Sequence, residues 1–242
     1  MLSEKIKSSK LLEKKQLKSL PELERPVTVR LKFRKTGSLQ YISHLDLQRT
    51  FHRILVRSDI PMWYTQGFNP HAKLVFGLPL SIGTQSVCEM ADLRIDRKIS
   101  LEDIKDQLNE QLTDEMQVLE AYYPTAKFND IAYADYTITI KSESITKDTD
   151  VAATALFAAP IIMTKKSKSG EKEVDITSFI KKIEFSSIDG ELTVRAILAA
   201  GATENLNPEY VVTALKTLDF GECPVYSIMR TRVYDNHLIE FK

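Results

Sequence analysis

An alternating run at residues 27–33 constrains the fold more than any other part of the chain. Its odd positions carry Val, Val, Leu and Phe, whereas Arg30 and Lys32 stand at even positions and Arg34 continues the basic series. A period of two predicts a β-strand with one buried face and one exposed face. We therefore expect a strand whose outer face is basic.

The segments that follow this strand predict a β-α-β-β-α-β order. Ser43 and Asp46 form a capping-box-like helix start ahead of an apolar stripe, and the helix is predicted to end near Ser58. The runs MWYTQ and LVFGLPL indicate strand segments on either side of a GFNPH loop, and VCEMADLRI indicates another strand. Ser100 caps a second helix, which the strand-like run VLEAYY follows. This order is typical of the ferredoxin-like split βαβ fold.

The second half of the chain predicts the same order of elements around an inserted hairpin. The series begins near Tyr136, the insertion centres on Gly170, and a helix begins after Asn207-Pro208. The sequence therefore predicts an α+β protein built from two tandem ferredoxin-like (βαββαβ) modules. The predicted divisions are a charged leader at 1–25, a first module at 26–124, a linker at 125–135 and a second module at 136–242.

Charge is distributed unevenly along a chain whose formal net charge is zero. Residues 26–76 contain eight Lys and Arg against two Asp, whereas residues 77–124 contain four Lys and Arg against ten Asp and Glu. A locally positive field favours an anionic partner, although a solvated basic face has the same composition. No uncharged apolar run approaches the roughly 20 residues that span a bilayer, so we expect a cytoplasmic protein without a membrane partner.

The helix after Ser43 carries the first group of candidate site residues. His44 and His52 share one of its faces, but they stand two turns apart, too far from each other to share a metal ion. Arg49 and Arg53 form a neighbouring basic ridge, and Tyr41 precedes the helix. A basic helix flanked by aromatic residues can bind phosphates and stack bases, and an ordinary exposed helix face has the same pattern.

Two further segments complete the candidate site. Phe68, His71 and Lys73 lie in or just after the GFNPH loop and offer a stacking ring, a titratable imidazole and a cation. A structural loop with a buried Phe68 is the alternative. In the final strand, counting by two predicts one aromatic and arginine face, composed of Tyr226, Ile228, Arg230, Arg232 and Tyr234. Such a face is similar in kind to RNA-binding sheets.

Several kinds of enzyme site have no motif in this sequence. Cys88 and Cys223 are the only cysteines, and we expect two reduced thiols rather than a metal site. The motifs GxGxxG, GxxxxGK[ST], GxSxG and HExxH do not occur, and CxxxCxxC is absent as well. We therefore expect this chain to hold no metal and no cofactor.

The run VRLKFRKTGSLQYISHLDLQRTFHRILVRSDIPMWYTQGFNPHAKLVFGLPLSIG resembles the start of the bacterial radical-SAM-linked protein family. The resemblance continues through EKEVDI at residues 171–176, NPEYVVTAL from Asn207 and the arginine-bearing strand at residues 229–234. That family is a domain of unknown function found fused behind, or encoded beside, a radical SAM protein. The resemblance implies a separate radical SAM partner that carries the iron–sulfur chemistry. More remotely, the order of elements is similar to the RAMP superfamily of CRISPR repeat-processing endoribonucleases.

Three hypotheses of function follow. The first is a non-catalytic accessory protein that docks a radical SAM enzyme and binds RNA or a ribonucleoprotein through residues 30–76. In it, phosphate contacts come from Arg30, Arg34, Arg49 and Arg53, while Tyr41 and Phe68 stack on bases and His71 and Lys73 shape the loop. The second is a metal-independent ribonuclease with His44, His52 or His71 as general base. The third is a protein-binding adaptor in which the GFNPH loop is structural.

Overall fold

The computed structural model describes residues 20–167, 170–221 and 224–242. The protein has a mixed α+β fold in which β-sheet dominates, and it divides into two compact units. The first unit contains the described residues up to Ile82 together with residues 89–125, and the second contains residues 83–88 and 126–242. Residues 1–19 of the predicted leader lie outside the described residues.

The first unit is a four-stranded sheet with two helices. Its elements are β1 (Glu22–Lys35), α1 (His44–Arg57), β2 (Leu74–Gly77), the part of β3 (Thr84–Arg97) from Glu89 onward, α2 (Leu101–Asn109) and β4 (Val118–Tyr122). The strand order is β4-β1-β3 with β2 paired to the other side of β3. Val29, Leu31 and Phe33 of β1 are fully buried, as the alternation of this strand predicts.

A single hydrophobic core joins both helices of this unit to its sheet. From α1 it takes the predicted stripe of Leu47, Phe51, Ile54 and Leu55, and α2 adds Ile104 and Leu108. Ser43 accepts a hydrogen bond from the Asp46 backbone N–H at 3.1 Å, which confirms the predicted start of α1.

Two predicted boundaries in this unit differ from the structure. β1 begins at Glu22 rather than after Pro26. Proline is tolerated in a strand where its missing N–H is not required by a neighbour, and β4 pairs only with residues 30–33 of β1. The MWYTQ run is not a regular strand, because it contributes only isolated bridges of Met62 to Ile95 and Tyr64 to Ala72.

The second unit is also a sheet with two helices, and it carries an additional hairpin. Its elements are β5 (Tyr133–Lys141), α3 (Thr149–Phe157), β6 (Ile162–Ser167), β7 (Gly170–Asp175), β8 (Ile180–Ile188), β9 (Glu191–Ala199), α4 (Glu209–Leu215) and β10 (Val225–Tyr234). The strand order is β10-β5-β9-β8, and β6 and β7 form a separate two-stranded sheet. β5 begins within the predicted linker, at Tyr133.

The first residues of β3 belong to the second unit. Thr84, Gln85 and Ser86 pair in parallel with residues 228–230 of β10. A parallel neighbour cannot be reached by a short turn, so its position depends on residues far apart in sequence. This pairing explains why residues 83–88, which the sequence places in the first module, cluster with the second unit instead.

The predicted single face of β10 is wrong because the strand contains a bulge. Arg230 lies opposite Tyr136, whereas Arg232 lies opposite Asp135, so one extra residue stands between the two arginines. A bulge of one residue reverses the alternation beyond it. Arg230 therefore lies on the same face as the buried Ile138 and is itself buried, whereas Arg232 is exposed on the opposite face.

Glu115 accepts two hydrogen bonds from the turn that follows β1 in the first unit. Its carboxylate accepts hydrogen bonds from the Ser38 hydroxyl at 2.5 Å and the Ser38 backbone N–H at 3.1 Å. Gly37 has a φ of 57°, and a Cβ at this position would clash with the same carboxylate. The turn therefore needs glycine both for its left-handed backbone and for the close approach of Glu115.

The hydrogen bonds to Glu115 predict a pH dependence of stability. The hydroxyl and then the backbone N–H of Ser38 lower the pKa of Glu115 from its ordinary value of 4.5. A depressed pKa stabilises the folded state above the unfolded value, and this stabilisation is lost as the pH falls through the folded value. We expect Glu115→Gln to lower the melting temperature at neutral pH and the difference from wild type to vanish in acid.

Melting temperatures measured from neutral to acid pH for wild type, Glu115→Gln and Ser38→Ala provide the check. Ser38→Ala removes the hydroxyl hydrogen bond but keeps the backbone N–H donor, so it should flatten the same acid limb of the curve less than Glu115→Gln does. A difference between wild type and Glu115→Gln that stays constant with pH would contradict the assignment.

Candidate nucleic-acid interface

Helix α1 presents the exposed cations that the sequence predicts. Arg49 and Arg53 are both exposed on it, and Tyr41 is 67% exposed just before it. Arg49 pairs with Asp46 at 3.2 Å, and both side chains are more than half exposed. The Ser43 hydroxyl and then Arg49 lower the pKa of Asp46. An exposed pair of this kind is weak, so Arg49 can exchange this partner for a phosphate at little cost.

The histidines of α1 are half-buried, and His44 contacts Gln48 and Phe76. His44 Nε2 lies 3.0 Å from Gln48 Nε2, and its ring packs edge-on against Phe76 at 5.5 Å. His52 is half-buried one helical turn after Gln48. Among the described residues, no hydrogen bond or ion pair joins a carboxylate to His44, His52 or His71.

The GFNPH loop is an excursion from an edge of the sheet. The Trp63 N–H donates to the Arg94 carbonyl at 2.8 Å, and Leu74 pairs with Leu93, the next residue of β3. Residues 64–73 therefore leave the sheet and return to it at adjacent positions of β3. Such a protrusion also interrupts an edge that another strand could otherwise extend.

Residues at its base close this loop, and Phe68 lies near its tip. The Thr65 N–H donates to the His71 carbonyl at 3.0 Å, and the His71 N–H donates to the Thr65 hydroxyl at 3.1 Å. Phe68 is fully exposed, so the alternative of a buried Phe68 is wrong. His71 and Lys73 are exposed as well. The loop therefore presents one apolar ring and two basic side chains on a closed base.

His71 has a defined ring orientation. Its Nδ1 lies 3.2 Å from the Asn69 carbonyl oxygen, which can only accept a hydrogen bond, and 3.2 Å from the Thr65 hydroxyl. A neutral His71 that donates from Nδ1 leaves Nε2 as its acceptor. The ring can therefore accept a hydrogen bond from a ligand.

The outer face of β1 is partly covered, which corrects the prediction for Arg30. Arg30 is 1% exposed and donates to Asp92 through Nε at 2.7 Å and Nη2 at 2.9 Å. Arg34 is half-buried and donates to Gln117 at 3.2 Å. Because Arg30 is covered and already paired, it cannot contact phosphate as predicted, and the buried Arg230 of the second unit cannot either.

The structure thus divides the predicted residues into an accessible and an inaccessible group. The accessible candidates of the first unit lie on or just before α1 and in the loop, and we use the name helix–loop surface for this set of exposed residues, which are Tyr41, Arg49, Arg53, Phe68, His71 and Lys73. The sequence reasoning missed Asp92, the partner of Arg30. The signal was present, because Asp92 alternates with the core residues Ala91 and Leu93 and must face the same side of the sheet as Arg30.

The fold and the surface define a mixed α+β protein of two units that exposes cations and aromatic rings on the first. A family model described as an uncharacterized protein conserved in bacteria (DUF2344) matches residues 28–208. The chain therefore belongs to that family. A search of curated proteins finds no match.

Several solved chains have a similar course at low sequence identity. A chain of a Cbf5-Nop10-Gar1 complex is 13% identical, with a TM-score of 0.46, and the match covers 85% of this chain and 48% of that one. A chain of an H/ACA RNP bound to a substrate RNA containing 2'-deoxyuridine is 14% identical, with a TM-score of 0.45 and 85% and 47% coverage. The protein thus spans about half the length of these two solved chains.

Two features are absent from the described part of the chain. No helix there is long and apolar enough to cross a membrane. No group of three or more histidine, cysteine, aspartate or glutamate side chains within it is arranged to hold a metal ion. Cys88 is buried and its thiol donates to the Arg230 carbonyl at 3.6 Å, and Cys223 lies outside the described residues.

Proposed function

We propose that the protein is a non-catalytic accessory protein that binds RNA or a ribonucleoprotein through the helix–loop surface and serves a radical SAM enzyme. The observation that carries this proposal is the full exposure of Phe68 in a loop with a closed base. The free energy falls when a partner covers a large apolar ring that is exposed to water. A ring held out from the sheet, with cations in the same unit, suits a nucleobase with its phosphates.

The charges of the helix–loop surface support an anionic partner. Arg53 and Lys73 are exposed cations, and Arg49 has only an exposed partner. Phosphate contacts depend on exposed Lys and Arg because binding releases counterions from the nucleic acid. Asp46 is an exposed acid of α1 beside these residues, and Arg49 partly offsets its charge.

The radical SAM partner is the second part of the proposal. Its support is the resemblance of residues 29–83 to proteins fused to, or encoded beside, radical SAM proteins. In this arrangement the partner holds the iron–sulfur cluster and performs the reaction. The present chain recruits and orients the RNA substrate.

We also infer that each unit is a ferredoxin-like module. When the β6–β7 hairpin is set aside, both units follow a β-α-β-β-α-β order, and their strand orders, β4-β1-β3-β2 and β10-β5-β9-β8, both correspond to 4-1-3-2. A split βαβ unit with two helices on one side of an antiparallel sheet has this order of elements.

An RNA-binding assay over a range of salt concentrations tests the function. We expect the affinity for a single-stranded RNA to fall with salt, with a slope of about −0.7 per phosphate contact. Phe68→Ala should weaken binding by about 1–3 kcal/mol, because one stacked base is lost. Arg53→Gln should remove one phosphate contact and make the salt slope shallower by the amount that one contact contributes.

Two matched variants serve as controls in the same unit. Val75→Ala removes a partly exposed apolar side chain from β2, and Lys105→Gln removes a cation from α2. Neither should change the affinity. Binding that is absent or insensitive to salt would overturn the proposal. Chelator-resistant RNA cleavage that His71→Ala abolishes would establish a ribonuclease instead.

The partner can be identified by affinity purification from native lysate. A radical SAM protein should be recovered with the full chain. Recovery that survives nuclease treatment, combined with no RNA affinity of the purified chain, would favour a protein-binding adaptor over an RNA-binding accessory protein.

A further inference from the structure

One face of the sheet in the second unit carries neither of that unit's α-helices. Phe157 of α3 packs against Phe185 of β8 at 5.4 Å, and Tyr226 of β10 donates to Glu209 of α4 at 3.0 Å. Phe185 lies opposite Val194 and Tyr226 lies opposite Ile140, so both helices cover the buried side of the sheet. We call the other side the open face.

A row of hydroxyl groups crosses the open face close to the end at which β5 finishes. Ser186 of β8 pairs with Thr193 of β9, Thr193 pairs with Thr139 of β5, and Thr139 pairs with Ser227 of β10. Residues in register on neighbouring strands point to the same side. These four side chains are exposed or half-buried, so four adjacent strands present hydroxyl donors and acceptors to a ligand.

Two tyrosines lie side by side at one end of this face. Tyr133, the first residue of β5, is in register with Tyr234, the last residue of β10. Both rings are half-buried. The bulge before Arg232 matters here, because it brings Arg232 and Tyr234 to the open face instead of the buried one.

Cations surround the tyrosine pair. Lys181 Nζ lies 5.9 Å from the centre of the Tyr133 ring, and the interaction with Tyr234 is the largest cause of a raised pKa of Arg232. Arg195 is exposed in the middle of β9. Cation–π contacts of this kind leave the ammonium group able to bind an anion.

Carboxylates on and beside the open face offset part of this positive charge, and one of them, Glu184, lies opposite Arg195. Glu184 pairs with Lys182 at 2.7 Å, which lowers the pKa of Glu184. Asp135 and Glu240 are the acids that act on Arg232. Lys181 and Arg195 remain exposed beside the tyrosines and the hydroxyl row.

We propose that the open face is a second binding site and that it takes single-stranded RNA. Bases stack on Tyr133 and Tyr234, Lys181, Arg195 and Arg232 contact phosphates, and the hydroxyl row contacts ribose 2′-hydroxyls. Sheets that bind single-stranded RNA stack bases on aromatic side chains of an uncovered face. This site uses different residues from the helix–loop surface, so it stands or falls independently of the proposed function.

The composition of the open face favours RNA over a protein partner. The buried centre of a protein–protein interface is enriched in aromatic residues, Met and Arg and depleted in Ser, Lys, Asp and Glu. Here the two central rows contain Met229 and Ile197 but are otherwise Thr, Arg, Lys, Asp and Glu, and the aromatic rings lie at one end beside cations. A polar centre with aromatic rings and cations suits a ligand that is itself polar, charged and aromatic.

Binding of a labelled, short single-stranded RNA to the full chain tests this proposal. Tyr133→Leu with Tyr234→Leu should weaken binding about 5- to 150-fold for each stacked base that is lost. Tyr226→Phe is the matched control, because it alters a tyrosine of the same strand on the opposite face. Its affinity should equal that of wild type, and melting curves should show that all variants fold.

Photo-crosslinking with 4-thiouridine RNA shows where the ligand lies. Crosslinks should map to β5 and β10, and Phe68→Ala should not remove them. Crosslinks confined to residues 64–73, or full affinity in a folded Tyr133→Leu, Tyr234→Leu variant, would overturn this proposal and leave the helix–loop surface intact. Absence of RNA binding, with a protein partner lost in the double variant, would make the open face a protein interface and overturn the RNA assignment.

Discussion

Replacing Asp92 with alanine is expected to lower the free energy of unfolding by about 3 kcal/mol. Removing one partner of a buried ion pair costs about 3–5 kcal/mol, because the remaining charge keeps its desolvation penalty and loses the attraction of that partner. Arg30 is 1% exposed and forms two hydrogen bonds with Asp92. We expect the lower end of the range because the Asp92 side chain is still 19% exposed. Denaturant unfolding monitored through Trp63 measures this loss.

Two further variants distinguish this pair from ordinary surface charges. Lys32 and Glu120 lie 3.9 Å apart and are more exposed, so Glu120→Gln should cost less than about 1 kcal/mol. Replacing both buried partners, as Arg30→Met with Asp92→Leu, should recover much of the loss because no charge is left unpaired. An Asp92→Ala variant as stable as Glu120→Gln would show that the buried pair does not hold the sheet together.

The role of Arg30 shows which part of the site the sequence could predict. Alternation predicted correctly that Arg30 points away from the core of the first unit. It could not predict that the side chain is buried, because its partner Asp92 is 62 positions away. Local periodicity determines the face of a strand, whereas the neighbouring strand depends on topology.

The final strand and the GFNPH loop illustrate two other limits. One extra residue between Arg230 and Arg232 reversed the predicted face, and nothing in the local composition marks a bulge of this kind. The run around Trp63 has the aromatic composition of a strand, but it forms only isolated bridges before the chain leaves the sheet. Composition therefore predicted the exposed loop but not how completely it interrupts the edge.

Helix α1 was predicted more accurately, and the second large effect concerns its centre. Phe51 is fully buried between Phe33, at 4.9 Å between ring centres, and Phe76, at 5.4 Å. We expect Phe51→Ala to lower the free energy of unfolding by about 3–5 kcal/mol, since the change removes both contacts and leaves a cavity. The midpoint of denaturant unfolding should fall while its slope stays the same.

The same variant connects the core to the helix–loop surface. Arg49 and Arg53 stand two positions on either side of Phe51, so a helix loosened by Phe51→Ala should also lower the RNA affinity. Val56→Ala should change neither the free energy of unfolding nor the RNA affinity, because Val56 is 68% exposed. Phe51→Leu should lie between the two, since it fills part of the cavity. If Phe51→Ala unfolded at the midpoint of Val56→Ala, the aromatic cluster would not be what anchors α1 to the sheet.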